Sequence, residues 1–279
     1  MSREYDLAII GAGNMAEAIV RGAIAADVFA PRHALAADPS PDRRAVFEGL
    51  GLATTADSVE AAAAAERVLL AVKPQTLDKL EGAMRRIDGR KQCVVSIMAG
   101  VRIATLSGAI RGGPGGGEGV GGSARVVRIM PNTPLLAGAG MSAVAAGAGA
   151  SGEDVRFADR LVAGAGAVVH VEEAMMDAVT AVSGSGPAYV FYLAEAMEAA
   201  AGELGLDGAT AATLVSQTLV GAAALLRDSP DGAATLRRKV TSPGGTTEAA
   251  INHLERHDAA ATVRRAIQAA AERSRELGG

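Results

Sequence analysis

Aromatic side chains are scarce in this chain. Of 279 residues only 3% are Phe, Trp or Tyr, and Trp is absent altogether. With 49% of the residues apolar, the core has to be assembled from Ala, Val, Leu, Ile and Met, whose small volumes favour close approach of helices. Cysteine is nearly absent too. The lone Cys93 rules out an internal disulfide, and its place in the run Cys93-Val94-Val95 reads as a buried structural thiol rather than a nucleophile. An excess of one charge is also missing: 27 Lys and Arg stand against 31 Asp and Glu, a formal net charge of -4, so no global basic field is available to hold nucleic acid. Nor does any apolar run suit a bilayer. Residues 129–152 are uncharged but broken by two prolines and many glycines, and residues 209–226 contain Thr, Ser and Gln, so no membrane partner is expected. The second stretch reads instead as a helix covered on most sides, inside its domain or against another subunit. Residues 1–6 run straight into a strand and leave no room for a signal peptide, which makes a reducing cytoplasm the expected location.

What the chain does have is a strand, a glycine turn and a helix at its start. Leu7-Ala8-Ile9-Ile10 is short, apolar and β-branched; Gly11-Ala12-Gly13-Asn14-Met15-Ala16 follows directly; Ala18, Ile19, Gly22 and Ala23 continue at helical spacing. The turn fits G-x-G-x-x-G/A. Gly11 permits the bend, Gly13 lets backbone approach a pyrophosphate, and Ala16 is small enough for helix to pack on strand. The helix start adds free N–H groups and a positive dipole end, so residues 11–15 are the expected dinucleotide contacts.

A second apolar run ends at Asp38, where a doubly wound fold meets the adenine ribose. A carboxylate there favours NADH, whereas Ser40, Arg43 and Arg44 are types that suit the 2′-phosphate of NADPH, so the residues point both ways. Val68-Leu69-Leu70-Ala71-Val72 is continuous in the manner of a parallel strand covered on both faces, and Lys73-Pro74 ends it, which makes Ala71, Val72, Lys73 and Pro74 expected cofactor-lining positions. Lys73 is read as lining and not as a catalytic base, since a lysine must be desolvated to become one. Strands are also expected at Val94–Ile97, Val126–Met130 and Val168–Val171, the last carrying His170 in a structural role. The glycine-rich insert 112–122 has almost nothing to bury and is expected to be a mobile surface loop; with no Lys-Ser/Thr behind it, it is a poor phosphate cradle.

From Glu172 onward no strand is expected. Met175, Val179 and Val182 share a helix face, Pro187 opens the next helix, Asp207 caps the long uncharged one, Ser229-Pro230 opens a short one and Asp258 caps the last. The fold class is therefore α/β, a Rossmann-type doubly wound sheet over residues 1–171 followed by an all-helical domain over 172–279. At Ser242-Pro243-Gly244-Gly245-Thr246-Thr247, open backbone N–H groups at a helix start lie beside two hydroxyls. That suits a small carboxylate, and equally an ordinary capping loop with Thr246 or Thr247 as N-cap. No metal-ligand cluster is evident.

Taken together, six blocks resemble the pyrroline-5-carboxylate reductases: residues 10–16, Ala71-Val72-Lys73-Pro74-Gln75, residues 96–101, Met130-Pro131-Asn132-Thr133-Pro134, residues 183–189 and residues 242–247, in the family's order along nearly the whole chain. The resemblance implies hydride transfer from NADPH, with NADH as an alternative, to the imine carbon of 1-pyrroline-5-carboxylate, giving L-proline. It implies cofactor contacts at Gly11 to Met15 and Ala71 to Pro74, and a substrate carboxylate held by Ser242, Gly244, Gly245, Thr246 and Thr247, with the Thr247 hydroxyl as partner of the ring nitrogen. It also implies a homo-oligomer, a dimer or an assembly of dimers, interlocked through the helical domain. Asp38 departs from what a strict NADPH enzyme would carry, and the glycine-rich insert is long for the family. Two other classes stay open: a β-hydroxyacid dehydrogenase using a lysine of the helical half, for which Lys239 is the candidate, and a non-catalytic nucleotide sensor on the same fold.

Overall fold

A computed structural model describes residues 3–110 and 123–277; the glycine-rich insert 112–122, expected to be a surface loop, lies outside them. Eight strands are described: β1 (Tyr5–Ile10), β2 (Ala34–Ala37), β3 (Ala53–Thr55), β4 (Ala65–Leu70), β5 (Cys93–Ser96), β6 (Val126–Met130), β7 (Gly140–Ala146) and β8 (Gly166–His170). They form one sheet in the order β3-β2-β1-β4-β5-β6-β7-β8. The chain moves outward from β1 to one edge and then, from β4, outward to the other, so the switch lies between β1 and β4, where a doubly wound fold opens its ligand crevice. All pairings are parallel except β6 with β7, which is antiparallel.

The helices are α1 (Asn14–Ala25), α2 (Pro41–Glu48), α3 (Ser58–Ala64), α4 (Glu81–Met84), α5 (Ile103–Ala109), α6 (Gly152–Ala163), α7 (Met176–Val179), α8 (Gly186–Glu203), α9 (Gly208–Asp228), α10 (Ala233–Lys239), α11 (Thr246–Arg256) and α12 (Ala259–Leu277). Successive residues of a strand face opposite sides. Leu7 and Ile9 of β1 join Ile19, Phe47, Phe157 and Leu161 in the core on one face of the sheet. Ile10 points the other way and joins Val68, Leu70, Met84, Leu106 and Ile110. Cys93 is buried among the first group, and burial pushes its thiol far above its ordinary value, which keeps it inert.

Two strands were not anticipated. β3 is three residues long, too short to show a period, and β7 lies in the uncharged, glycine-interrupted stretch whose small residues hide alternation. The segment after β8 also departs from expectation. In place of one helix bearing Met175, Val179 and Val182, a 3-10 turn (Glu173–Met175) leads into α7 and then a π-turn (Thr180–Gly184). The inserted residue rotates the face, so Met176 and Ala181 are buried while Met175 and Val182 are exposed.

The chain divides into two compact units, Met1–Ser185 with Ala270–Gly279, and Gly186–Ala269. The second unit is helical throughout. Asp207 caps α9 as expected, accepting from the Ala209 and Thr210 amides at 3.1 and 3.0 Å. Pro187 is the second residue of α8, and α10 opens at Ala233 behind Gly232 rather than at Pro230, whereas Asp258 takes a left-handed turn with φ 51° before α12. By itself this unit has almost no core. α8 buries no residue and α9 buries only Ala211 and Val215, so the expected covering of α9 does not come from within its own domain.

Candidate active site

The glycine turn is held from both sides. The Gly11 amide donates to the Ala37 carbonyl of β2 at 2.9 Å, and the Ala71 amide beyond β4 donates to the Ile10 carbonyl at 2.8 Å. Gly11 has φ +96°, and a Cβ on it would lie 2.8 Å from the Val72 side chain and 2.9 Å from the Ala71 backbone, so no other residue fits there. Gly13 differs: it is the N-cap of α1, has no side chain to offer that helix, and a Cβ on it would meet nothing within 4 Å. The first amides of α1 therefore have no side-chain cap, in front of open space. That combination suits the pyrophosphate of a dinucleotide, with the backbone as donor and the helix dipole behind it.

A cavity of about 490 Å³ opens here, lined by Ile10, Gly11, Gly13, Ala37, Asp38, Pro39, Ala56, Ser58, Ala71, Val72, Lys73, Thr76, Lys79 and Leu80. It brings together Gly11, Gly13, Asp38, Ala71, Val72 and Lys73. Ala12 is buried beneath the turn, Asn14 and Met15 open α1, and Pro74 starts the 3-10 turn after β4. Ser40 and Arg43 do not line the cavity. The Ser40 hydroxyl caps α2 by accepting the Arg43 amide at 3.4 Å, and the Arg43 guanidinium is engaged by the Ala12 carbonyl and Glu17. Asp38 accepts the Ala12 amide at 2.8 Å and the Ser40 amide at 2.9 Å, so its carboxylate braces the glycine turn as well as facing the cavity. Sequence reasoning missed Ala56, Ser58, Thr76 and Lys79. Asp57, which caps α3 by accepting from Val59 and Glu60, was the available signal for the first two.

At the end of β6, Asn132 ties the π-turn to the sheet. Its Nδ2 donates to the Ser183 carbonyl and hydroxyl at 3.3 Å each, and its Oδ1 accepts the Met141 amide at 2.8 Å. Gly184 packs so closely on Met130 that a Cβ would come 2.5 Å from the methionine methyl.

In the helical unit the turn before α11 departs from the capping by Thr246 or Thr247 that an ordinary capping loop would use. The N-cap is Gly245, not Thr246 or Thr247, so the helix start has no side-chain cap. Gly244 has φ +72°, which favours glycine, and its amide donates to Glu248 at 2.8 Å; the Gly245 amide donates to the Ser242 carbonyl at 3.0 Å. The donors this turn offers outward are thus the amides and hydroxyls of Thr246 and Thr247, with Ser242 exposed beside them. Lys239 is ion-paired with Asp231 at the end of α10, a structural setting rather than that of a general acid. His170 is exposed beside Asp159 at 3.2 Å. Among the described residues no group of three or more His, Cys, Asp or Glu is placed to hold a metal ion.

A doubly wound sheet whose crevice offers an uncapped helix start behind a glycine turn, with a carboxylate at the end of the second strand, defines a dinucleotide-binding protein of the Rossmann type. Comparison with known proteins agrees. Residues 6–100 match the family model described as NADP oxidoreductase coenzyme F420-dependent, and residues 173–277 match that described as pyrroline-5-carboxylate reductase dimerisation. The chain is 41% identical over 273 residues to the pyrroline-5-carboxylate reductase of Pseudomonas aeruginosa, covering 97% of this chain and 96% of that protein. It is 36% identical to the Arabidopsis thaliana protein of the same name, over 99% of this chain and 96% of that one. A solved pyrroline-5-carboxylate reductase from Coxiella burnetii superposes with a TM-score of 0.85 at 34% identity, covering 99% of each chain. A Plasmodium falciparum pyrroline carboxylate reductase solved with NADP bound gives 0.84 at 26% identity over 100% of both chains. The chain belongs to the pyrroline-5-carboxylate reductase family.

Proposed function

We propose that this protein reduces the C=N bond of 1-pyrroline-5-carboxylate to L-proline with NADPH, and with NADH as an alternative donor. The bound cofactor supplies a hydride from nicotinamide C4. What the protein adds is placement. Gly11 and Ala12, whose amides are held by Ala37 and Asp38, shape the turn so that the amides of Gly13, Asn14 and Met15 meet the pyrophosphate, while Ala71, Val72 and Lys73, with Pro74 behind them, border the cofactor crevice. Asp38, with Ser40 and Arg43 behind it, borders the adenosine end.

The substrate carboxylate is assigned to the turn of Ser242, Gly244, Gly245, Thr246 and Thr247, in which the glycines shape the bend, their own amides being given to Glu248 and Ser242, and the Thr246 and Thr247 amides are the free donors. The observation that carries this is the helix start behind Gly245, whose first amides have no side-chain cap and whose threonines add two hydroxyls. Thr247, half-buried, is given the role of hydrogen-bond partner at the ring nitrogen. An iminium already carries the proton the amine product needs, so no strong acid is required of the protein.

The protein acts as a homo-oligomer, proposed to be a dimer or an assembly of dimers working in the cytoplasm without nucleic-acid or membrane partners. α9 is long and apolar enough by composition to cross a membrane, but the exposed Leu214, Val220, Leu225 and Leu226 lie within the residues that match the dimerisation family, and a second copy is the covering we assign to them. The domain division we assign is 1–171 for the dinucleotide and 172–279 for substrate and assembly. The deciding experiment is steady-state oxidation of NADPH and of NADH with pyrroline-5-carboxylate. Turnover with either is expected, and a pure, folded protein that oxidises neither would overturn the reading.

A further inference from the structure

We infer that Glu17 sets the choice between a 2′-phosphorylated and an unphosphorylated adenine dinucleotide, by restraining Arg43. The inference rests on the dinucleotide reading of the glycine turn given above.

Arg43 follows the end of β2, the stretch that borders the adenosine ribose in a doubly wound fold, and a guanidinium is well shaped to pair with a phosphate. Yet Asp38 borders the cavity and Arg43 does not. Its Nε donates to the Ala12 carbonyl at 2.5 Å and its Nη2 donates to Glu17 Oε2 at 2.8 Å. Glu17, in the first turn of α1, is gripped from the other side by Arg21, four residues on, at 2.8 Å. Arg43 foremost, with Arg21, holds the Glu17 carboxyl below its ordinary value, so it is a full anion where it meets both guanidiniums. Arg44 is turned back as well, donating to the carbonyls of Asp38 and Pro39 at 2.8 and 3.0 Å.

These contacts close a ring around Ala12. Its amide is given to Asp38, its carbonyl receives Arg43, and Arg43 is anchored in turn by Glu17. In this arrangement the group offered at the ribose is a carboxylate, which accepts from a 2′-hydroxyl and repels a 2′-phosphate. The side chain of Arg43 is 27% exposed and so reaches solvent at the rim of this ring. Removing the Glu17 charge frees a guanidinium to turn toward a phosphate at the 2′ position.

The test uses the purified, cofactor-free protein titrated calorimetrically with adenosine 2′,5′-bisphosphate and with 5′-AMP, for the parent chain, Glu17→Gln, Arg43→Ala and the double variant. Glu17→Gln is expected to raise the ratio of bisphosphate to AMP affinity roughly tenfold, the scale of one hydrogen bond to a charged group. The gain should vanish in the double variant, because it requires Arg43. The NADPH to NADH ratio of kcat/KM should move the same way. An unchanged or lowered ratio in Glu17→Gln, or a gain that persists without Arg43 and so reflects only lost repulsion, overturns the inference. A parent chain that binds neither adenine nucleotide would overturn the dinucleotide reading itself.

Discussion

Gly11 and Gly13 are both glycines for reasons of space, but of different kinds. Gly11 is required by the fold, since a Cβ there would strike Val72 and Ala71 and its φ is +96°. Gly13 is not, because nothing of the protein lies within 4 Å of where its Cβ would be. Gly13→Val should therefore leave the thermal unfolding of the protein close to that of the parent while blocking NADPH, as measured by calorimetric titration. Normal NADPH binding by the variant would take Gly13 out of the cofactor site. Thr247 is the corresponding test at the other end of the reaction. Removing one hydrogen bond to a charged group costs roughly 1.5 to 3 kcal/mol, so Thr247→Ala should lower kcat/KM for pyrroline-5-carboxylate about ten- to a hundredfold. A variant with the parent's kcat/KM would end the role assigned to that hydroxyl.

Among the elements, α6 shows how one side chain fixes a helix start and joins it to the sheet. Ser151 and Asp154 form a capping box, with the Ser151 hydroxyl accepting the Asp154 amide at 3.2 Å and Asp154 Oδ2 accepting the Ser151 amide at 2.8 Å. The same carboxylate takes two donors from Arg125, just before β6, at 2.9 and 2.6 Å. Asp154 is 1% exposed. Burial alone would raise its pKa, but the Arg125 and Ser151 donors outweigh it and hold it down at about 2, against an ordinary value of 3.8. A carboxyl depressed in the folded state contributes stability above its unfolded pKa and loses that contribution as pH falls through the folded value. Thermal stability should accordingly decline between about pH 4 and pH 2, and Asp154→Asn should flatten that slope while costing about 3 kcal/mol near neutrality, since the Arg125 charge loses its buried partner. Equal acid slopes in variant and parent would show that other carboxyls govern the transition.

At the scale of the whole molecule, the exposed apolar surface is concentrated in the helical residues. Phe191 and Tyr192 of α8 are 66% and 76% exposed, and Val220, Leu225 and Leu226 of α9 are all exposed. Surface of this kind marks an interface. A second copy covering it would supply the core that this unit lacks, in the manner of an obligate dimer whose folded monomer has no separate stability. Sedimentation at micromolar concentration should show a dimer or a multiple of it, and the midpoint of thermal unfolding should rise with protein concentration. A stable, active monomer would reject this assignment. Leu225→Glu, placed on that surface, should lower the assembly state.

The sequence by itself determined the class of the fold and located the glycine turn expected to meet the cofactor. Continuous apolar runs ending in glycine or Lys-Pro mark buried parallel strands, and a glycine turn between strand and helix has few other uses, so both signals are local. It also located the turn at residues 242–247. Only the tertiary structure decided which groups are free to act there. Whether Asp38 and Arg43 face a ligand depends on Ala12 and Glu17, which lie between 26 and 31 residues away along the chain and are brought near by β1 pairing with β2. Gly245, rather than either threonine, became the N-cap because the Gly244 turn places it there. β7 was hidden because its small residues give no alternation to read, and its antiparallel pairing follows from a short connection after β6. The burial of α9 was legible as a need, yet what meets that need is not in the chain's own fold, because hydrophobicity is a property of residues and a partner is a property of the assembly.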